Sequence, residues 1–294
     1  MEYSVHLNEA RWIKKRCRPA EAWKKGGYPP WMCDMLCGEV CSFVMGFLEA
    51  LNPKASYHMT KSMYKFGDPF CEKIVTIYRV PTGDTSVDEL LFGGMPEGYA
   101  VLLLSPVCDE RTRFLEGFIK HSVLDGRPAC YLTSDPRGVL DLAASYPKFM
   151  RLILCHSMSD QVAQGRENVY AVRGAEVLSH LNASLMDAIQ SMESGEEKGI
   201  ACCDILSDIL SQHGAGTTKK WLADVLQRLK GRGFTALSVL NPDVHSKSDI
   251  EALRELFDGE FRVSQEEQEG RTRALFRVTR MYQQNFQDRE IILE

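Results

Sequence analysis

A chain of 294 residues, 44% hydrophobic and 26% charged, has the composition of an ordinary soluble protein and can bury two modest cores. Its formal net charge of −5 argues against a general nucleic-acid binder, and no apolar run is long enough to span a bilayer. The start Met1-Glu2-Tyr3-Ser4-Val5-His6 lacks the basic residues and apolar stretch of a signal peptide. The ten cysteines are therefore expected in a reducing cytoplasm, where clustered thiols mean metal or redox chemistry more often than disulfides.

Residues 19–23 begin a short helix after the basic run Lys14-Lys15-Arg16, and Gly26-Gly27-Tyr28-Pro29-Pro30 ends it. Residues 31–51 read as one amphipathic helix, because Leu36, Val40, Phe43, Val44, Phe47 and Leu48 return at three- and four-residue intervals. Asn52-Pro53 stops that helix. Two strands follow at 56–64 and 71–78, joined by the turn Phe66-Gly67-Asp68-Pro69. The Pro/Gly seam Arg79-Val80-Pro81-Thr82-Gly83-Asp84 then separates a first domain, 1–79, from a second, 80–294.

The second domain alternates strand and helix. Strands are predicted at 100–104, 129–133, 200–205 and 235–240, and helices at 113–124, 137–145, 219–230 and 250–256. A terminal strand pair at 261–264 and 274–281 flanks the polar tip Gln265-Glu266-Glu267-Gln268-Glu269-Gly270. No element is assigned between Ser145 and Ile200. Apolar strands alternating with helices predict an α/β fold: a mostly parallel sheet flanked by helices, preceded by a small α+β domain.

The segment Thr82-Gly83-Asp84-Thr85-Ser86-Val87-Asp88-Glu89-Leu90-Leu91, followed by Gly93-Gly94-Met95-Pro96-Glu97-Gly98, resembles the opening of KaiC-like ATPases of the RecA fold. The resemblance runs over most of the second domain. It implies that Ile200-Ala201-Cys202-Cys203-Asp204 is the Walker B strand, with Asp204 at the magnesium-site position. It also implies a phosphate loop after the first strand. There the family has Gly-x-x-Gly-x-Gly-Lys-Thr, whose backbone N–H groups curl around phosphate. This chain has Ser105-Pro106-Val107-Cys108-Asp109-Glu110-Arg111-Thr112. The glycines are gone, Arg111 stands at the lysine position and Thr112 at the magnesium-side hydroxyl. Asp109 and Glu110 put two negative charges where a polyphosphate would sit, and two carboxylates about 5 Å from a phosphate cost several kcal/mol. The family's paired glutamates after the second strand are replaced by Ser134-Asp135. ATP is not an expected cofactor on this reading.

The first domain holds five of the ten cysteines. Arg16-Cys17-Arg18-Pro19-Ala20-Glu21-Ala22-Trp23, Cys33 with Cys37, Asn52-Pro53 and Gly67-Asp68-Pro69-Phe70-Cys71 resemble domains of the L-2-amino-thiazoline-4-carboxylate hydrolase-like group and of vinyl-reductase-type sensors. The resemblance implies a zinc site carried by Cys37 and Cys71, with His58, Cys33 or Cys17 completing the shell. From spacing alone, Cys33, Cys37 and Cys41 recur every four residues on one side of a helix, and a tight turn leads into Cys71. Zinc or an iron–sulfur cluster needs four ligands at tetrahedral reach. The alternative is a set of buried, uncharged thiols.

These readings give a cytoplasmic regulatory or sensor protein. Its first domain would bind a small ligand, metal or cluster, and its second would be a RecA-like platform for self-association or a protein partner. Two alternatives stand beside it. One is a hydrolase or reductase of a small heterocycle using Cys37 or Cys71, with His58 as the nearby base. The other is a nucleotide-binding KaiC-like ATPase with an atypical loop.

Overall fold

The structure is a computed structural model that describes residues 2–6, 9–29, 31–32, 35–37, 46, 55–62, 70–135, 137–192, 198–268 and 271–293. The chain divides into two compact units, Met1–Arg79 and Val80–Glu294.

The first unit contains strands β1 (Glu2–His6), β2 (Glu9–Lys14), β3 (Ala55–Lys61) and β4 (Cys71–Ile77). They form an antiparallel sheet in the order β1-β2-β4-β3. The hairpin of β1 and β2 is absent from the sequence reading, because the charged Glu9, Arg11 and Lys14 interrupt the apolar pattern of that stretch. Cross-strand pairing resolves the charge: Arg11 lies 3.4 Å from the buried Glu72, which also accepts from the Thr60 hydroxyl at 2.7 Å. Helix α1 (Arg18–Lys25) has a proline in its first turn and Lys24 and Lys25 in its last, where its dipole favours cations. Lys15, Arg16, Arg18, Lys24 and Lys25 are all exposed, so the basic cluster is a solvated face. Residues 31–32, 35–37 and 46 are helical, within the helix predicted over 31–51. The rest of that helix, Cys33 and Cys41 included, and the turn at 66–69 lie outside the described residues.

The boundary falls within β5 (Arg79–Val80), which pairs with β6 (Met95–Pro96), and helix α2 (Thr85–Leu90) lies between them in sequence. The motif that resembled an ATPase opening is a local staple. Asp84 caps α2 by accepting from the N–H groups of Ser86 and Val87. Thr82 donates to the Asp88 carboxylate through both its N–H, at 2.7 Å, and its hydroxyl, at 2.8 Å. Gly83 has φ +84, and a Cβ there would meet the Gly117 carbonyl oxygen at 2.5 Å.

Nine strands form the main sheet: β7 (Ala100–Leu104), β8 (Ala129–Thr133), β9 (Met150–Cys155), β10 (Val169–Val172), β11 (Ile200–Cys203), β12 (Thr235–Leu240), β13 (Gly259–Gln268), β14 (Arg271–Met281) and β15 (Glu290–Leu293). Their order is β10-β9-β8-β11-β12-β7-β13-β14-β15. All pairings from β10 to β13 are parallel, and the last two are antiparallel. The central strands are buried on both faces, which is why they read as continuous apolar runs such as Ala-Val-Leu-Leu-Leu in β7.

Helices cover both faces. On one, α2, α3 (Asp109–Leu124) and α4 (Leu140–Ser145) pack Phe114, Phe118 and Ile119 against Val101, Leu103 and Phe261. Phe276 of β14 contacts Phe114 and Phe261 with ring centroids 5.5 and 5.2 Å away, tying the terminal hairpin to α3. On the other face, α6 (Leu178–Gln190), α7 (Leu206–Gly231) and α8 (Lys247–Arg254) cover Leu102, Leu104, Leu132 and Leu240. Each fully buried Leu or Phe contributes about 1.5–3 kcal/mol. The short α5 (Ser159–Ala163) joins β9 to β10.

Several boundaries differ from the sequence reading. Helix α3 starts at Asp109, not residue 113, because Asp109 and Glu110 suit the positive end of its dipole. The helix predicted over 137–145 begins only at Leu140. Helix α7 begins at Leu206 and bends at Gly214 (φ 69, ψ 166), which hides its first half from a periodicity reading. Strands β9 and β10 and helix α6 fill the unassigned stretch after Ser145. Short apolar runs such as that of β9 do not distinguish strand from helix by periodicity.

Candidate functional site

The loop 105–108 leaves the carboxyl end of β7 and enters α3. Ser105 is buried. Its N–H donates to the Leu240 carbonyl at 3.0 Å, which holds the loop against β12, and its hydroxyl donates to the Pro106 carbonyl at 2.8 Å. Cys108 occupies the N-cap position in an extended conformation (φ −153, ψ 160) and makes no side-chain cap. No residue from 105 to 112 has a positive φ. A backbone nest for an anion needs such residues to turn consecutive N–H groups inward. The loop bends once, at Val107, and is extended at Cys108, without the positive-φ residues of a phosphate cradle.

At the head of α3, Asp109 and Glu110 supply the negative charge that the helix dipole favours, and Glu110 lies 3.5 Å from Arg113. Arg111, the next residue, points back to the sheet. One of its terminal nitrogens lies 3.8 Å from Asp204 Oδ1, and both side chains are close to fully buried. Asp204 immediately follows β11, and its N–H donates to the Leu132 carbonyl at 2.9 Å. Its Oδ2 accepts from the Tyr131 hydroxyl at 3.4 Å and the Thr133 hydroxyl at 3.5 Å. Asp204 Oδ1 and Arg111 Nε are buried without a hydrogen-bond partner. Burial raises the Asp204 pKa above its ordinary value, with the Arg111 charge opposing. Burial, with Asp204 beside it, pushes the Tyr131 hydroxyl up as well.

The side chains of Arg111 and Asp204 therefore meet in the structure. Thr112 does not join them: its side chain is exposed and its hydroxyl donates to the Cys108 carbonyl at 3.4 Å. Asp135 is clamped by Arg137, whose Nη2 lies 2.5 Å from Oδ2, and this hydrogen bonding holds its carboxyl below the ordinary range. The reading missed Tyr131 and Thr133. They stand two apart on β8, one face of a strand beside β11, and that alternation was the available signal.

The cysteine set of the first unit is placed in part. Cys17 precedes α1 and Cys37 is helical, both half-buried; Cys71 is buried at the first position of β4, in register with Lys14. His58 in β3 is in register with Ile74, three positions beyond Cys71. Among the described residues, no group of three or more His, Cys, Asp or Glu is disposed to hold a metal ion. The described residues do not by themselves make a zinc or cluster shell. In the second unit, Cys130, Cys155 and Cys202 are core residues, and burial pushes the Cys130 thiol up to about 12 and Cys155 to about 11.

The nine-stranded, helix-flanked sheet with β11 and β12 inserted between β8 and β7 makes this a RecA-like α/β protein. The chain belongs to the family of unknown function DUF7504, whose profile matches residues 98–263. A KaiC-like protein, PH0186 from the hyperthermophilic archaeon Pyrococcus horikoshii OT3, has a similar solved structure, with a TM-score of 0.52 and 19% sequence identity over 74% of this chain and 95% of that one. No curated protein matches the chain. Among the described residues, no helix is long and apolar enough to cross a membrane.

Proposed function

We propose that the RecA-like unit is a regulatory, protein-binding module that does not turn over ATP, and that the first unit is its sensor of a small ligand, metal or redox state. The Arg111–Asp204 pair carries this reading. The cation that would meet the outer phosphates faces the carboxylate that would hold magnesium, and the loop between strand and helix lacks an anion nest. An incoming Mg-ATP would have to break that pair and also approach Asp109 and Glu110.

A platform role draws support from the same edge of the sheet. Val107, Met158, Val177 and Val244 follow β7, β9, β10 and β12, and all four are exposed. Apolar side chains exposed at intervals along one edge of the sheet suit an extended protein partner, a second copy of this chain being the first candidate.

Calorimetry with Mg-ATP on the full chain tests the first part. Negligible heat is expected, and micromolar affinity would overturn the reading in favour of an ATPase with an atypical loop. Metal analysis and an absorption spectrum of anaerobically purified protein test the sensor unit: bound zinc or an iron–sulfur chromophore supports it, lost on Cys37→Ser or Cys71→Ser.

A further inference from the structure

A second crevice opens at the carboxyl edge of the sheet, on the face of β7 opposite α3. Its volume is about 690 Å³, within the range of small-molecule sites. Leu104 at the end of β7, Pro106, Pro242 after β12 and Ile250 of α8 supply its apolar walls, and β13 closes one side. It lies where the chain changes direction. From β7 the chain crosses to β8 through α3 on one face; from β12 it crosses β7 to reach β13 through α8 on the other. In open α/β sheets such a crevice, outside the carboxyl ends of the strands, is where ligands bind.

The charges of the crevice are unequal in their freedom. Arg254 is committed: it pairs with the buried Glu260 behind it and with Glu251 at 2.9 Å. Lys247 and Arg262 have no ion-pair partner among the described residues, and both are exposed on the rim. Asp243 is the carboxylate that remains against them, and Ser264 and Gln265 add neutral donors. Among the groups that line the crevice, Lys247, Arg254 and Arg262 face two carboxylates, Asp243 and Glu251, with Glu260 buried behind and outside the lining, so the exposed wall is positive on a chain of net charge −5. Such a local reversal of sign concentrates anions.

We propose that this crevice binds a small organic anion, one carboxylate or phosphate on an apolar body. The head group meets Lys247 and Arg262, and the body lies along Pro106, Pro242 and Ile250. The site is separate from the Arg111–Asp204 pair, and its occupancy does not depend on how that pair treats nucleotides.

The test uses the full chain and three probes of equal shape: 2-naphthoate, 2-naphthyl phosphate and neutral 2-naphthol, followed by ligand-observed NMR and fluorescence titration. At least one anionic probe is expected to saturate at least tenfold more tightly than 2-naphthol, and the preferred anion identifies the head group. Lys247→Glu with Arg262→Glu should weaken that anion tenfold or more, and Arg262→Gln alone should weaken it less. Arg166→Glu, a remote exposed site, makes a charge change of the same kind and should leave binding unaltered. Equal binding of 2-naphthol, unaltered binding in the double and single variants, or no saturable binding by any probe would overturn the proposal.

Discussion

Arg111 and Asp204 face each other at 3.8 Å with 12% and 14% of their side chains exposed, so each is the other's main counter-charge. Removing one strands the other in low dielectric. Arg111→Met should destabilise the chain by about 1–3 kcal/mol, the cost of leaving a buried charged group unpaired. Arg111→Met with Asp204→Asn should recover most of that loss. Urea denaturation of the four proteins in a double-mutant cycle measures the coupling; additivity would show that the pair carries no interaction.

Asp204 also makes a signed prediction about pH. Its folded pKa is raised above 3.8 by burial, so the folded state holds the proton more tightly than the unfolded chain. Its contribution favours folding below the ordinary aspartate range. It is lost as pH rises from there through the raised folded value. Burial raises Asp88 and Asp208 too, so the parent keeps a similar slope from them. The stability of Asp204→Asn relative to the parent should therefore improve between about pH 3.5 and neutrality. Denaturation at a series of pH values reads this directly, and a worsening trend contradicts it.

Gly214 and Gly216 of α7 separate backbone strain from helix propensity. A Cβ at either would meet nothing within 4 Å, but only Gly214 has a positive φ, 69 with ψ 166. Gly214→Ala should cost about 1–3 kcal/mol, since that conformation is almost restricted to glycine. Gly216→Ala should stabilise by about 0.5–1 kcal/mol. Thermal melts with opposite signs are expected.

Glu260 is fully buried, accepts from Arg254 Nη2 at 3.0 Å and from the Thr279 hydroxyl at 2.7 Å. Arg254 is a third exposed and keeps Glu251 as a second partner. Loss of the arginine should therefore hurt more than loss of the acid's charge. Arg254→Met is expected to cost about 3–5 kcal/mol by stranding the carboxylate. Glu260→Gln, which keeps the Thr279 hydrogen bond, should cost about 1–3 kcal/mol. Equilibrium unfolding of the two variants gives the order.

If the exposed valines at the carboxyl edge meet a second copy, Val107→Glu with Val244→Glu should shift the chain toward monomer, because a buried glutamate at a contact has no partner. Light scattering across a concentration series checks it. A parent that is monomeric throughout would leave that edge to a different protein.

The legible part of the fold was the part with one dominant signal. β7, β8 and β12 are short apolar runs bounded by Gly, Pro or polar residues, and their bounds came directly from the residues. The resemblance named Arg111 and Asp204 separately, but their pairing was not legible, because nothing local in either segment announces a partner almost a hundred positions away. The roles of Thr82 and Asp88 were not legible. Their pattern marked only the opening segment of the resemblance, and in the structure their hydrogen bonds close on each other. The crevice beside α8 was also invisible, since Leu104, Ile250 and Arg262 meet only through the order of strands.

That order has a cost during synthesis. β7 is the earliest strand of the large sheet to leave the ribosome, yet its two neighbours, β12 and β13, are among the last. Its register partners for Ala100 and Val101 are Ala236 and Gly259. At translation rates of about 5–20 residues per second, the nascent chain carries this wholly apolar segment unpaired for roughly seven to thirty seconds. Until β12 emerges, Ala-Val-Leu-Leu-Leu has both edges open and is a template for the wrong strand or the wrong chain. A chain truncated after β11 would keep both edges of β7 open for good.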